Sequence, residues 1–162
     1  MNIRLKADFE MESVHEITAA FLKAHGIYGI IADIDYTLEP DYVPTPSAEI
    51  FAWAKGLIDQ GIPIYLVSNN SKKRVSLFAK SMNLPSIHRA MKPFMLSLYR
   101  ACRAMGLRRD QVVMVGDKAI TDILGAHLCG MRAILVKALR REKKKERRAS
   151  PVNKPGSGGK IS

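Results

Sequence analysis

The stretch "GIYGIIADIDYTLEP", residues 26–40, is the strongest indication of fold class in this chain. It begins as an almost continuous apolar run and changes character at Asp33 and Asp35, two carboxylates separated by a single residue. Apolar runs without polar alternation are typical of parallel strands covered on both faces, whereas antiparallel strands usually alternate. The stretch therefore predicts a buried parallel strand that ends in two acidic side chains.

Further apolar runs follow along the chain, with helical patterns between them. The clearest are "IPIYLVS" at 62–68, "VVMVG" at 112–116 and "RAILV" at 132–136, and "SIHRA" at 86–90 is a shorter candidate. Alternating strands and helices build a parallel sheet through right-handed crossovers, with helices on both faces. The predicted fold is therefore α/β, a Rossmann-like three-layer α/β/α arrangement around a parallel sheet.

Several predicted helices have recognisable start signals. They are a helix over residues 13–25 that opens with the capping-box spacing of Ser13 and Glu16, a helix with Thr45 as N-cap and Pro46 as its first residue, and a helix from about Thr121 to Cys129.

Length and composition indicate one globular domain, which we assign to residues 1–140. The chain has 162 residues with 47% apolar content, enough to bury roughly two-thirds of its unfolded surface. Its apolar runs are far shorter than the ~20 residues of a membrane span, and residues 1–13 mix acids with bases, unlike a signal peptide. Cys102 and Cys129 form no CxxC motif. We therefore expect a cytoplasmic protein with reduced cysteines.

The positive charge is concentrated at the C-terminus. The whole chain carries a net charge of +11, but residues 137–162 hold ten Lys/Arg and two Glu, a net charge of +8, which leaves +3 for the rest. From residue 141 to residue 162 the chain is basic and rich in Pro, Gly and Ser, a composition that cannot bury enough apolar surface to fold. We predict that residues 141–162 form a disordered basic tail.

Polar side chains follow the predicted strands where each strand ends. Because the carboxyl ends of parallel strands meet at one edge of a sheet, these side chains are expected to share one site. Each of them alone also fits an ordinary structural role, as a turn residue, a helix cap or a solvated side chain. The candidates are Asp33 and Asp35, Ser68 and Asn69, Lys92, Asp117 and, five residues further on, Asp122.

The order of these candidates resembles the four motifs of the haloacid dehalogenase (HAD) superfamily. The segments are "DIDYTL", "LVSNN", "KP" and "GDKAITD", and the resemblance spans about residues 27–136. More narrowly, "GIYGIIADIDYTLEP", "SNNSKKRV" and "VGDKAITDILGAHLCGMRAILV" resemble the YqeG family of subclass IIIA phosphatases, related to mitochondrial phosphatidylglycerophosphatase. The resemblance implies a phosphatase that works through an aspartyl-phosphate.

The same resemblance implies a role for each candidate residue. Asp33 would be the nucleophile, and Mg²⁺ and Lys92 would supply the positive charge that lets a carboxylate approach a phosphate dianion. The Mg²⁺ ligands would be Asp33, Asp117 and the backbone carbonyl of Asp35, with Asp122 either a further ligand or an acceptor for a metal-bound water. Ser68, Asn69 and Lys92 would bind the phosphate oxygens.

Asp35 would serve as the general acid and base. Residues i and i+2 of a strand point to the same side, so Asp35 can share the cleft with Asp33. It would protonate the departing alcohol and then deprotonate the water that hydrolyses the aspartyl-phosphate. One residue departs from the family pattern, because Tyr36 stands where an Asn is expected between Asp35 and Thr37.

The spacing of the motifs leaves no room for a substantial cap domain. Asp35 and Ser68 are 33 positions apart, and Ser68 and Lys92 are 24 apart, and predicted helices and strands occupy both intervals. An uncapped site is open, which favours a large partner such as a lipid headgroup at a membrane, a protein, a nucleic acid or a second subunit.

Three functional alternatives stay open. The first is a Mg²⁺-dependent phosphatase acting on phosphatidylglycerophosphate, with the basic tail on anionic phospholipid at the inner membrane leaflet. The second is a phosphatase of a soluble phosphomonoester, such as a nucleotide or sugar phosphate. The third is a non-catalytic module that binds RNA, a ribosome or a protein through the tail. A merely solubilising tail fits the composition as well.

Overall fold

The apolar run before Asp33 is a strand at the centre of a parallel sheet. A computed structural model describes residues 5–91 and 95–140 of the chain. In these residues six strands pair in the order β1-β6-β5-β2-β3-β4, and every pair is parallel. The strands are Phe9–Met11 (β1), Gly29–Ala32 (β2), Ile64–Val67 (β3), Ser86–Ile87 (β4), Val112–Gly116 (β5) and Arg132–Val136 (β6).

Helices connect the strands and cover both faces of the sheet. They are Ala19–Ala24 (α1), Ala48–Asp59 (α2), Lys72–Met82 (α3), Met95–Met105 (α4) and Leu124–Leu128 (α5). Short 3-10 segments lie at Val14–Glu16 and Arg109–Gln111, and a π-helical segment lies at Ala119–Ile123.

Within the part of the chain that the structure describes, two buried clusters form the core, one on each face of the sheet. Ile30 and Ala32 of β2 pack into the first cluster, which includes Leu57 of α2 and Phe78 of α3. Ile31, between them, packs into the second cluster with side chains of α4 and α5. Successive residues of β2 thus enter opposite layers, as the two-residue period of a strand requires. The predicted three-layer α/β/α fold is confirmed.

The prediction of one helix over residues 13–25 was wrong. Val14–Glu16 forms a 3-10 turn in which the Ser13 side chain accepts a hydrogen bond from the His15 amide, and Ile17 then adopts extended backbone with φ −83° and ψ 100°. The helix restarts after Thr18, whose hydroxyl accepts a hydrogen bond from the Phe21 amide at 3.1 Å. A Thr N-cap inside the apparent pattern therefore divides the segment.

Two other helix starts also differ from the prediction. Ser47, not Thr45, is the N-cap of α2, since its hydroxyl accepts a hydrogen bond from the Ile50 amide at 3.2 Å and the helix begins at Ala48. The helix expected from Thr121 begins at Ala119 as a π-helical segment instead.

Strand β1 was missed because it is three residues long and, among the described strands, pairs with β6 alone, more than a hundred positions away. Local periodicity carries no information about such a partner.

The structure contains no inserted cap between the described motifs. Residues 36–67 hold a loop, α2 and β3, and residues 69–91 hold α3 and β4. Across the described ranges, no helix is long and apolar enough to span a membrane. Lys92 and residues 141–162 lie outside the described residues.

Candidate active site

Strands β2 and β5 bring Asp33 and Asp117 together. Asp33 follows β2, and its amide donates a hydrogen bond to the carbonyl of Val115 in β5 at 3.0 Å. Asp117 follows the last residue of β5. Carboxylate oxygens of Asp33, Asp117 and Asp122 all lie within 4.8 Å of one another. Three carboxylates from two motifs, "DIDYTL" and "GDKAITD", therefore meet at one sheet edge.

Asp122 is fully buried, and the turn before it determines its position. Its amide donates to the Lys118 carbonyl at 3.0 Å, and its Oδ2 accepts from the Lys118 amide at 3.2 Å. Gly116 leaves the space that this carboxylate occupies, because a Cβ at Gly116 would lie 2.2 Å from Asp122 Oδ2. The glycine in "VGD" is thus required by a close approach between a strand and a side chain.

Thr37 joins the cluster, and sequence reasoning gave it no role. Its hydroxyl, in a side chain that is 3% exposed, lies 3.1 Å from Asp117 Oδ1 and 3.5 Å from Asp33 Oδ2. A hydroxyl donates only one proton at a time, so the shorter contact to Asp117 is its main hydrogen bond. The signal was present in the threonine of "DIDYTL".

The electrostatics of the cluster favour a cation. Burial raises the pKa of the Asp117 carboxyl above its usual range, and the neighbouring Asp122 raises it further, against the lowering effect of the Thr37 hydrogen bond. A divalent cation relieves such repulsion between carboxylates, and oxygen-only ligands suit hard cations. The donor set of Asp33, Asp117 and Asp122 therefore fits a divalent metal ion.

Asp35 has other partners. Its carboxylate lies outside this three-residue group and accepts hydrogen bonds from Arg74 Nε at 3.2 Å on Oδ1 and from Asn70 Nδ2 at 2.8 Å on Oδ2. Arg74 and Asn70 are site residues that the sequence analysis missed, although both lie in the quoted segment "SNNSKKRV". The proposed metal contact of the Asp35 backbone carbonyl stays a prediction.

Ser68 follows β3 and is almost fully buried, with 1% of its surface exposed. Its hydroxyl accepts a hydrogen bond from the Asn70 amide at 3.1 Å, and its carbonyl accepts one from the Ala90 amide at 3.0 Å. Asn69, between Ser68 and Asn70 in the sequence, is exposed. The phosphate contacts predicted for Ser68 and Asn69 stay predictions, and the Lys92 assignment lies outside the described residues.

Tyr36 occupies an unusual backbone conformation with φ of 61°. Among non-glycine residues, Asn tolerates this left-handed region well, which explains the Asn expected at this position. Here the tyrosine is buried instead, and its hydroxyl donates a hydrogen bond to Asp41 Oδ1 at 2.9 Å. Its carbonyl accepts from the Leu139 amide at 2.9 Å. Burial of the ring and these two hydrogen bonds therefore accommodate tyrosine at a position where the family pattern has Asn.

Comparisons with known proteins agree with this fold. Residues 90–155 match a family model described as HAD-hydrolase-like. The chain is 35% identical over 126 residues to the probable phosphatase YqeG of Bacillus subtilis, which covers 78% of this chain and 73% of that protein.

Solved structures with the same fold have lower sequence identity to this chain. One is a putative phosphoglycolate phosphatase from Lactobacillus delbrueckii, with a TM-score of 0.53, 22% identity and coverage of 65% of this chain and 47% of that one. Another is the cobalt-bound deoxy-D-mannose-octulosonate 8-phosphate phosphatase of Haemophilus influenzae, with a TM-score of 0.55, 13% identity and coverage of 72% and 81%.

The parallel sheet and the acidic cluster at its carboxyl edge define the class, an α/β fold shared with HAD phosphatases. Within this class, the chain belongs to the YqeG family of HAD-like phosphatases.

Proposed function

We propose that this protein is a Mg²⁺-dependent phosphatase that hydrolyses a phosphate monoester through an aspartyl-phosphate on Asp33. The observation that carries the proposal is the cluster of Asp33, Asp117 and Asp122 within 4.8 Å, at the end of the strand that also leads to Asp35. Bound by these three carboxylates, Mg²⁺ would offset part of their charge and stabilise the negative charge of the reacting phosphate.

Asp33 would act as the nucleophile, and Asp35 would transfer protons. A carboxylate oxygen of Asp33 forms a bond to phosphorus while the bond to the ester oxygen breaks, and Asp35, which enters this step in its protonated form, gives that oxygen its proton. In the second step Asp35 takes a proton from water, the water oxygen bonds to phosphorus, and the acyl-phosphate bond breaks. Phosphate leaves and both aspartates return to their initial states.

Ser68 is suited to hold the phosphate. Its hydroxyl oxygen accepts a hydrogen bond from the Asn70 amide, so its own proton can be donated to a phosphate oxygen. In this proposal the backbone amide near Asn69 and the Lys92 ammonium bind the remaining oxygens as charge builds on them. The catalytic unit would be one domain, residues 1–140, with residues 141–162 as a basic tail.

For the substrate we propose an anionic phospholipid headgroup, phosphatidylglycerophosphate. The support is an exposed apolar surface on the first turns of α4, formed by Met95, Leu96 and Tyr99, which are 47%, 59% and 43% exposed. Arg100 and Arg103 are exposed on the same helix. Apolar side chains beside arginines suit the surface of an anionic membrane.

Helix α4, which carries this surface, is connected to Ser68 through two hydrogen bonds. The hydroxyl of Ser97 in α4 donates to the Ala90 carbonyl at 2.7 Å, and the Ala90 amide donates to the Ser68 carbonyl at 3.0 Å. A headgroup presented by a membrane that contacts Met95 and Leu96 would therefore arrive close to the site. The protein would then act as a peripheral enzyme at the inner leaflet.

The experiment is phosphate release with and without Mg²⁺, for the wild type and Asp33→Asn. Substrates are p-nitrophenyl phosphate, nucleotides, sugar phosphates and phosphatidylglycerophosphate in vesicles. We expect Mg²⁺-dependent release that Asp33→Asn abolishes, with the lipid preferred. Equal inactivity of wild type and variant on every substrate would refute the phosphatase, and preference for a soluble ester would refute the lipid assignment alone.

A further inference from the structure

Arg74, in the first turn of α3, contacts the carboxylate to which we assign proton transfer. Its Nε donates to Asp35 Oδ1 at 3.2 Å, and its Nη2 lies 3.2 Å from the same oxygen. The other Asp35 oxygen accepts from Asn70 Nδ2 at 2.8 Å. Both carboxylate oxygens therefore have donors from the segment between β3 and α3.

The same guanidinium also holds the loop that follows Asp35. Nη1 donates to the Val43 carbonyl, and Nη2 donates to the Pro40 carbonyl at 3.1 Å. One side chain thus connects Asp35, the loop over residues 40–43 and α3. The guanidinium presents its five N–H donors in a fixed planar arrangement, which suits it to serve a carboxylate and two carbonyls at once.

Arg74 is itself held in place from two sides. Its guanidinium lies over the ring of Phe78, 5.1 Å from the centroid, and only 11% of its side chain is exposed. Its amide donates to the hydroxyl of Ser71, the N-cap of α3, at 3.3 Å. Phe78 is fully buried in the core. Arg74 is therefore a rigid support rather than a mobile surface cation.

We propose that Arg74 is a positioning residue for the phosphatase reaction, which orients Asp35 for proton transfer to the leaving group. The proposal rests on the proposed function. A general acid must lie within hydrogen-bond reach of the leaving oxygen, and a displacement of about 1 Å can cost roughly a hundredfold in rate. Arg74 fixes both the carboxylate of Asp35 and the loop that follows it, so its removal frees both.

The test is the leaving-group dependence of kcat in Arg74→Met, measured on p-nitrophenyl phosphate and on phenyl phosphate. The p-nitrophenolate ion leaves with little need for a proton, whereas phenolate needs one. We expect kcat to fall by roughly a hundredfold on phenyl phosphate and by less than about tenfold on p-nitrophenyl phosphate. Lys73→Met, which removes an exposed cation one residue away, is the matched control and should leave both rates unchanged.

A double-variant cycle separates positioning from general structural support. If Arg74 acts through Asp35, Arg74→Met should add little to the loss already caused by Asp35→Asn on phenyl phosphate. Equal fractional losses on both substrates, or full additivity with Asp35→Asn, would overturn the proposal.

Two further measurements apply if Arg74→Met is unstable. Arg74→Lys keeps the charge but cannot serve Asp35 and both carbonyls together, so it should show the same leaving-group dependence. Added guanidinium ion should partly restore Arg74→Ala on phenyl phosphate, and wild-type rates in Arg74→Lys would refute the assignment. Because wild type and Asp33→Asn are measured in parallel, failure of the phosphatase proposal is distinguished from failure of this one.

Discussion

At the end of β5, the Asp122 carboxylate occupies the space that a side chain on Gly116 would need. A Cβ on Gly116 would lie 2.2 Å from Asp122 Oδ2 and 2.3 Å from its carboxyl carbon. The buried carboxylate can therefore approach the backbone of β5 only because residue 116 has no side chain. This contact links a strand residue to the geometry of the proposed metal site.

Gly116→Ala should weaken metal binding by displacing Asp122. We expect the Mg²⁺ concentration for half-maximal phosphatase activity to rise at least tenfold, as for other changes next to metal ligands. Gly56→Ala is the matched control, because the added methyl meets nothing within 4 Å and lies in α2. It should leave Mg²⁺ dependence unchanged and slightly raise the free energy of unfolding. Equal Mg²⁺ dependence of the two variants would contradict this prediction.

Thr37→Val should weaken Mg²⁺ binding, because it removes the hydroxyl while the side chain keeps nearly the same shape. The hydroxyl lies 3.1 Å from Asp117 Oδ1. Loss of a group that orients a metal ligand typically lowers metal affinity by roughly 10- to 100-fold. Calorimetric titration of Mg²⁺ into the two proteins measures the difference. Thr37→Ser retains the hydroxyl and should bind Mg²⁺ within about threefold of wild type. If Thr37→Val bound Mg²⁺ as tightly as wild type, the hydrogen bond would have no role in the site.

The exposed surface on α4 should matter only for a membrane substrate. Changing both Met95 and Leu96 to Ser removes apolar side chains that are 47% and 59% exposed. We expect at least a tenfold lower rate on vesicle-bound substrate and an unchanged rate on p-nitrophenyl phosphate. Leu77→Ser removes an apolar residue that is 49% exposed on α3 and serves as the control. Parallel losses on both substrates would point to damage of the site instead.

Cys102 should be unreactive at neutral pH. Burial raises the pKa of its thiol to about 11, the nearby Cys129 adds to the rise, and Arg109 opposes it. At pH 8 only about one thiol in a thousand is then ionised, so alkylation of the folded protein by iodoacetamide should be slow and should accelerate with pH. Rapid modification of Cys102 at pH 8 in the folded protein would be incompatible with this environment.

The same shift has a consequence for stability, with a definite sign. Because the folded thiol has the higher pKa, its contribution to stability is fully present below pH 9, the ordinary value, and is lost as pH rises towards 11. The free energy of unfolding of the wild type should therefore fall more steeply over this interval than that of Cys102→Ala. Parallel curves for the two proteins would contradict the shift.

Much of the fold could be predicted from local sequence patterns. The apolar run before Asp33 and the segment "VVMVG" became neighbouring central strands, β2 and β5, because continuous apolar runs must be buried on both faces. The short edge strand β1 could not be predicted, since its pairing with β6 joins residues more than a hundred positions apart. Helix boundaries failed where Thr18 and Ser47 made caps that a longer periodic pattern concealed.

Which residues stand at the strand ends could be predicted from the chain alone, because periodicity and motif order are local properties. These patterns predicted that Asp33, Asp35, Ser68 and Asp117 lie at one edge of the sheet. The contacts that hold these side chains depend instead on the packed fold. Thr37 reaches Asp117 across 80 positions, and Arg74 reaches Asp35 across 39. Such contacts depend on how strands and helices pack, which no spacing along the chain records.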